Sequence, residues 1–206
     1  ESNFLISRIN SWPLSIWVWS TPSSWAFVNC ALTWLSNLSK KRLMKSDFCI
    51  DKVGKNEIKE LLYTYHYLKD ESKDFKSGFN YGLFRSSVSD ILRIGGCLGA
   101  CVFTGLPVPE IAVGAFGLQR HEQEGIYELS RLCIHPDVQK EEYNITSWFV
   151  SRCIRRFRKD ANVRCILSYA DANHHLGTIY RACNFTYYGL TAPKKDFYYA
   201  DGTKHS

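Results

Sequence analysis

Between positions 126 and 170 the chain reads as strand, helix, strand, and this run restricts the fold more than any other feature. The segment "IYELSRLCIHP" is a buried strand stopped by Pro136, a helix is expected over about 144–159, and "VRCILSYA" is the next strand. On a wheel of about 100° per residue, Phe149, Val150, Cys153, Ile154 and Phe157 share one sector of that helix. Arg152, Arg155, Arg156, Arg158 and Lys159 share the opposite one. The helix therefore has an apolar side for a core and a strongly basic side, which is either a solvated face or a surface for nucleic-acid phosphates.

The rest of the chain after Met44 continues the alternation. "FCIDKV" alternates as a short strand, and "KNEIKELLYTYHYL" sets Ile58, Leu61, Leu62 and Tyr65 on one helical face. "FNYGLF" and "GGCLGACVFTG" are strands, the second with glycines that suit close approach to a neighbour. A short helix through Tyr180 and strands at "FTYYGL" and "DFYYA" complete the pattern. The class is α/β, a mixed sheet flanked by helices. With 206 residues, 45% of them apolar, the chain can bury a normal core, and its net charge of +6 leans toward an anionic partner.

Residues 1–43 differ in composition from the rest of the chain. Five of the six tryptophans (Trp12, Trp17, Trp19, Trp25 and Trp34) lie there, and residues 9–39 contain no Asp, Glu, Lys or Arg. The chain opens on Glu1, and its single methionine, Met44, stands just before the regular pattern. Two expectations compete: upstream sequence translated ahead of a domain at 44–206, or a membrane anchor followed by Lys40, Lys41 and Arg42. On the first, a chain starting at Met44 folds and keeps its activity.

Several segments carry a family likeness. "YHYLK" (65–69), "GACVFTG" (99–105), "ELSRLCIHP" (128–136), "NITSWFVSRCI" (144–154) and "SYADANHHLGTIYRACNF" (168–185) together resemble the phage Mom DNA-modification proteins. The resemblance runs from about Leu62 to Gly189. It implies a fold like that of the GCN5-type acetyltransferases and conversion of adenine in double-stranded DNA to an N6-carbamoylmethyl derivative, a change that protects phage DNA from restriction. It also implies that His66 and Tyr67, which match the family's histidine-tyrosine pair, close the pocket.

One departure concerns the donor. GCN5-type enzymes cradle a pyrophosphate with a glycine-rich loop before the long helix, since glycines let backbone N–H groups approach phosphate. Here "HPDVQKEEYNITS" has no glycine and carries Glu141 and Glu142. Asn144 or Thr146 as cap, with Ser147 in the first turn, would still offer an anion or carboxamide site. An acetyl-CoA-like donor and a glycine-derived one both stay open.

Adenine N6 is a weak nucleophile, because its lone pair is delocalised into the ring, so a transferase needs an acceptor for the departing proton. Asp171, at the end of a strand, is either that acceptor or the cap of the following helix. Tyr180 either hydrogen-bonds the base or donor or packs as an aromatic. Arg131, in an apolar strand, meets a carboxylate or a ligand, since an unpaired charge there is costly. His66, His174 and His175 with Asp171 form a candidate iron or zinc set, against the alternative that the adjacent histidines lie one inside and one outside. His121, His135 and His205 have no such context.

The eight cysteines include no CxxC pair. That spacing favours reduced, packed thiols and a cytoplasmic setting over a disulfide scaffold. No protein partner is expected, and no membrane unless the leader is an anchor. Two other functions compete with DNA modification: an acyl-CoA-dependent N-acyltransferase acting on a small-molecule or protein amine, and a nucleic-acid-binding module without catalysis.

Overall fold

The computed structural model describes residues 6–9, 15–20, 47–67, 75–86, 94–171, 176–191 and 195–198. The chain divides into two compact units, residues 20–166 and a smaller one made of residues 1–19 and 167–206. The leader contributes two strands to the smaller unit, β1 (Ile6–Ile9) and β2 (Ser15–Ser20).

In the larger unit, β3 (Phe48–Lys52), β4 (Phe79–Arg85), β5 (Ile94–Gly105) and β6 (Ile126–Ile134) form consecutive antiparallel pairs. Helix α1 (Lys55–Tyr65) follows β3, α2 (Glu110–Phe116) interrupts the connection between β5 and β6, and α3 (Pro136–Glu141) and α4 (Ile145–Asp160) follow β6. Arg164 and Cys165 both donate their N–H to the Gly125 carbonyl, at 2.9 and 3.2 Å. Strand β7 (Cys165–Ala170) therefore starts at the same end of the sheet as β6. Strand directions are mixed and helices flank the sheet, as the alternation predicts.

The two faces of this sheet are filled differently. One carries Phe79, Phe103 and Tyr127, whose rings gather on Phe157 of α4 with centroids 4.8, 4.5 and 4.8 Å away. All five residues of the apolar sector (Phe149, Val150, Cys153, Ile154 and Phe157) are buried. The other face carries Phe84, Ala100, Val102 and Cys133 against Ile58, Leu61 and Leu62 of α1, with Val53 and Phe75. Gly99 supplies the close approach expected of the glycine-rich strand, since a Cβ there would lie 2.9 Å from that of Leu83. Tyr65 departs from its expected place, being 43% exposed while the other three residues of its helical face are buried.

The smaller unit adds α5 (Thr178–Ala182), β8 (Thr186–Leu190) and β9 (Lys195–Tyr198) to the leader strands. Strand β1 pairs antiparallel with β9, and β2 pairs antiparallel with β8. Trp17 is buried, its ring 6.0 Å from that of Tyr180 and 5.5 Å from that of Tyr187. A Cβ on Gly177 would come within 2.4 Å of the Trp17 ring, and φ there is +69°, so space and backbone both select glycine. Two stretches of the leader are thus strands paired with the C-terminal part of the chain. No described helix is long and apolar enough to cross a membrane.

Candidate active site and nucleic-acid face

Arg131 owes its position to an irregularity in β6. Thr104 pairs with Glu128 and Phe103 with Leu129, but Val102 pairs with Arg131, leaving Ser130 as an extra residue. Strict alternation would have put Arg131 opposite Cys101, on the α4 side. The bulge instead turns it to the α1 side, in register with Val102 and two residues from Cys133 of the α1 cluster. Ser130 seals the bulge by donating its hydroxyl to the Val102 carbonyl at 3.2 Å.

The guanidinium of Arg131 donates through Nη1 to the Ser130 carbonyl at 2.7 Å, while its buried Nε has no hydrogen-bond partner among the described residues. Beside it, burial pushes the Glu128 carboxyl above its usual range, opposed by the positive charges of Arg131 and Lys76. Glu128 is thus a charged neighbour of Arg131, and the arginine Nε–H has no hydrogen-bond partner among the described residues.

Helix α1 ends where the histidine-tyrosine pair begins. Gly54 starts it, donating its N–H to Glu57 Oε1 at 2.8 Å. His66 leaves the helix in an extended conformation, its N–H still on the Leu62 carbonyl at 3.1 Å. The His66 ring is buried and stacks on Tyr67 at 4.7 Å and 25°, and Tyr67 is exposed. His135, which the sequence leaves without context, caps α3 by accepting the Asp137 N–H and meets the Tyr65 hydroxyl at 3.0 Å.

The glycine-free stretch before α4 folds as α3 and not as an open phosphate loop. Asn144 occupies the N-cap position of α4 but in the left-handed region, φ 59°, and its side chain makes no capping bond. Ser147 donates its hydroxyl back to the Asn144 carbonyl at 3.1 Å. Arg152, Arg155, Arg156, Arg158 and Lys159 are all exposed along α4. Arg152 lies over the Trp148 ring at 5.7 Å, and Arg156 is 3.8 Å from Asp51.

In the smaller unit, Asp171 directly follows β7 and is partly buried. Tyr180 is buried, packs between Trp17 and Phe185, and donates its hydroxyl to the Tyr169 carbonyl at 3.1 Å. The packed-aromatic role left open for Tyr180 is thus filled, with its hydroxyl anchoring the backbone two residues before Asp171. Among the described residues no group of three His, Cys, Asp or Glu could hold a metal ion. His174 and His175 lie outside the described residues. Four of the seven described cysteines are buried, and burial pushes the Cys133 and Cys165 thiols up to about 11, away from reactivity.

Sequence reasoning missed Glu128, Tyr65 and His135. A charged residue three positions before Arg131 in an apolar strand was a readable signal for the first. Nothing local announces the Tyr65–His135 contact, which joins residues 70 apart.

Among solved structures the chain is similar to an aminoglycoside acetyltransferase, meta-AAC0020, from an uncultured soil metagenomic sample. In its complex with trehalose the match covers 68% of this chain and 89% of that chain at 10% identity, with a TM-score of 0.43. In its complex with sisomicin the match covers 67% of this chain and 88% of that chain at 10% identity, with a TM-score of 0.41. No curated protein matches the chain. The Mom protein family model matches residues 47–206, the whole of the chain beyond the leader apart from three residues, and the chain belongs to the Mom protein family.

Proposed function

We propose that the chain is a DNA-modifying transferase that converts adenine in double-stranded DNA to an N6-carbamoylmethyl-type derivative. The observation that carries this reading is membership of the Mom family over residues 47–206. The exposed basic side of α4 agrees with a duplex substrate, since lysines and arginines along one face neutralise phosphates without reading sequence.

The target amine lies inside the base stack, so adenine is first extruded into a pocket, at a cost of a few kcal/mol. N6 then forms a bond to carbon of the donor, the donor's leaving group departs with its electron pair, and one N6 proton passes to Asp171. Arg131 holds the donor, offering the Nε–H that has no partner among the described residues. His66 and Tyr67, which follow α1 on the same side of the sheet as Arg131, close the pocket. Whether the donor is acetyl-CoA-like or glycine-derived, it is held by these side chains without a glycine loop.

Mass spectrometry of nucleosides from the DNA of cells expressing the chain tests this. A modified adenosine is the expected product, and its absence overturns the reading. Asp171→Asn retains shape but loses the basic carboxylate, and the cap of the following helix, Gly177, is untouched. Modification should fall by roughly two to four orders of magnitude with DNA binding unchanged, the usual span for a general base. Parental modification by the variant would mean that Asp171 is not the base and move that role to His66, His174 or Tyr180.

A further inference from the structure

The last turn of α1 has no basic residue to face the helix dipole, and Tyr65, its last residue, is 43% exposed although it shares a helical face with Ile58, Leu61 and Leu62. A helix end of this kind frays unless something outside it ties it down. One such tie is His135, at the corner between β6 and α3. Its ring meets that of Tyr65 edge-on, with centroids 4.6 Å apart at 67°, and Nε2 is 3.0 Å from the tyrosine hydroxyl.

The tautomer of this histidine is set by its other nitrogen. Nδ1 lies 3.3 Å from the Asp137 N–H and accepts it, so Nδ1 presents a lone pair. The single proton of the neutral ring is then on Nε2, which donates to the Tyr65 hydroxyl. The Asp137 carboxylate, 3.8 Å from Nδ1 and 3.8 Å from Lys140, lies beyond hydrogen-bond reach of the ring. One imidazole thus joins the start of α3 to the end of α1, each through a different atom.

We infer that His135 is a positioning residue for the transferase, locking the last turn of α1 through Tyr65 so that the adjoining His66–Tyr67 pair is held in place. The inference rests on the reading that puts His66 and Tyr67 at the pocket. It assigns Tyr65 and His135 no contact with substrate. Their contribution is geometric, and small misplacements of groups around a reacting centre cost large factors in rate.

The two nitrogens can be tested separately in the full chain. Asparagine at 135 keeps an acceptor near the Nδ1 position and loses the reach to Tyr65, whereas glutamine keeps a donor near the Nε2 position and loses the cap. Two quantities are read: the fraction of adenine modified in cellular DNA, and hydrogen exchange of the backbone amides of residues 62–67 in the purified protein. Tyr65→Phe and His135→Asn should each lower modification about tenfold and speed exchange of those amides, while His135→Gln stays near parental in both. The reverse order, with Asn near parental and Gln impaired, would make His135 a cap for α3 alone and overturn the inference. If the parental chain leaves adenine unmodified, the transferase reading falls, and the lock then stands or falls on exchange: faster in Tyr65→Phe and His135→Asn supports it, unchanged rates refute it.

Discussion

The two faces of the β3–β6 sheet obey different rules although they share every strand. The α4 face is a continuous aromatic packing of Phe79, Phe103, Tyr127 and Phe157, with a polar contact at the rim, where Tyr81 donates to Asp160 Oδ2 at 2.8 Å. The α1 face has an apolar centre too, but Glu128, Arg131 and the end of α1 with His66 adjoin it. Apolar surface removed from water stabilises in proportion to area, while buried polar groups cost free energy unless paired. The contrast indicates that one face maintains the fold and the other accommodates the polar groups to which the proposed chemistry is assigned.

Four variants challenge this contrast, in decreasing order of expected effect. Phe157→Ala removes the ring on which three others converge, so the unfolding free energy should drop by about 3–5 kcal/mol in chemical denaturation, the range for deleting a buried phenylalanine. A drop under about 1 kcal/mol would mean that this face is not what holds the fold. Arg131→Gln should show the opposite profile. Stability should change by less than about 1 kcal/mol, while DNA modification falls roughly tenfold to hundredfold, the size of one hydrogen bond involving a charged group. Equal effects on stability and modification would erase the division between the faces.

The third variant moves to the outer side of α4. Charge reversal at Arg155 and Arg156 should weaken binding to all duplex sequences alike and reduce the slope of log affinity against log salt by about 0.9 for each phosphate no longer neutralised. Unchanged affinity would leave that side a solvated face. The smallest effect is expected at the rim. The Tyr81 hydroxyl first, and Lys52 and Arg156 after it, hold the Asp160 carboxyl below the usual carboxylate range. A carboxyl with a lowered folded-state value contributes stability at pH above its unfolded value, and that contribution disappears as pH falls through the folded one. Tyr81→Phe should therefore cost about 1 kcal/mol at neutral pH and flatten the acid side of the stability profile, as read by thermal denaturation from neutral pH downward.

The periodicity of the chain makes much of the fold legible. The apolar sector of α4 is buried residue for residue, and the segments that read as strands after Met44 appear as β3 to β9. Helices α2 and α3 leave no such trace, because six or seven residues give too few turns for a period to show. The leader is the least legible part. Its lack of charge says nothing of pairing, yet β2 lies beside β8 and Trp17 packs on Tyr180.

For the site, the sequence by itself determined the inventory: an arginine in an apolar strand, a histidine-tyrosine pair after a helix, an aspartate ending a strand, and a basic helical side. These are local facts, set by residue type and by the periods of 3.6 and 2 along one element. Tertiary structure alone decided which side of the sheet Arg131 faces, because a bulge shifts the side-chain phase by one residue and is defined by a partner strand, with Ser130 left over opposite Val102 and Phe103. It likewise decided the Tyr65–His135 contact, since hydrogen bonds between residues far apart in sequence exist only after packing has brought their elements together.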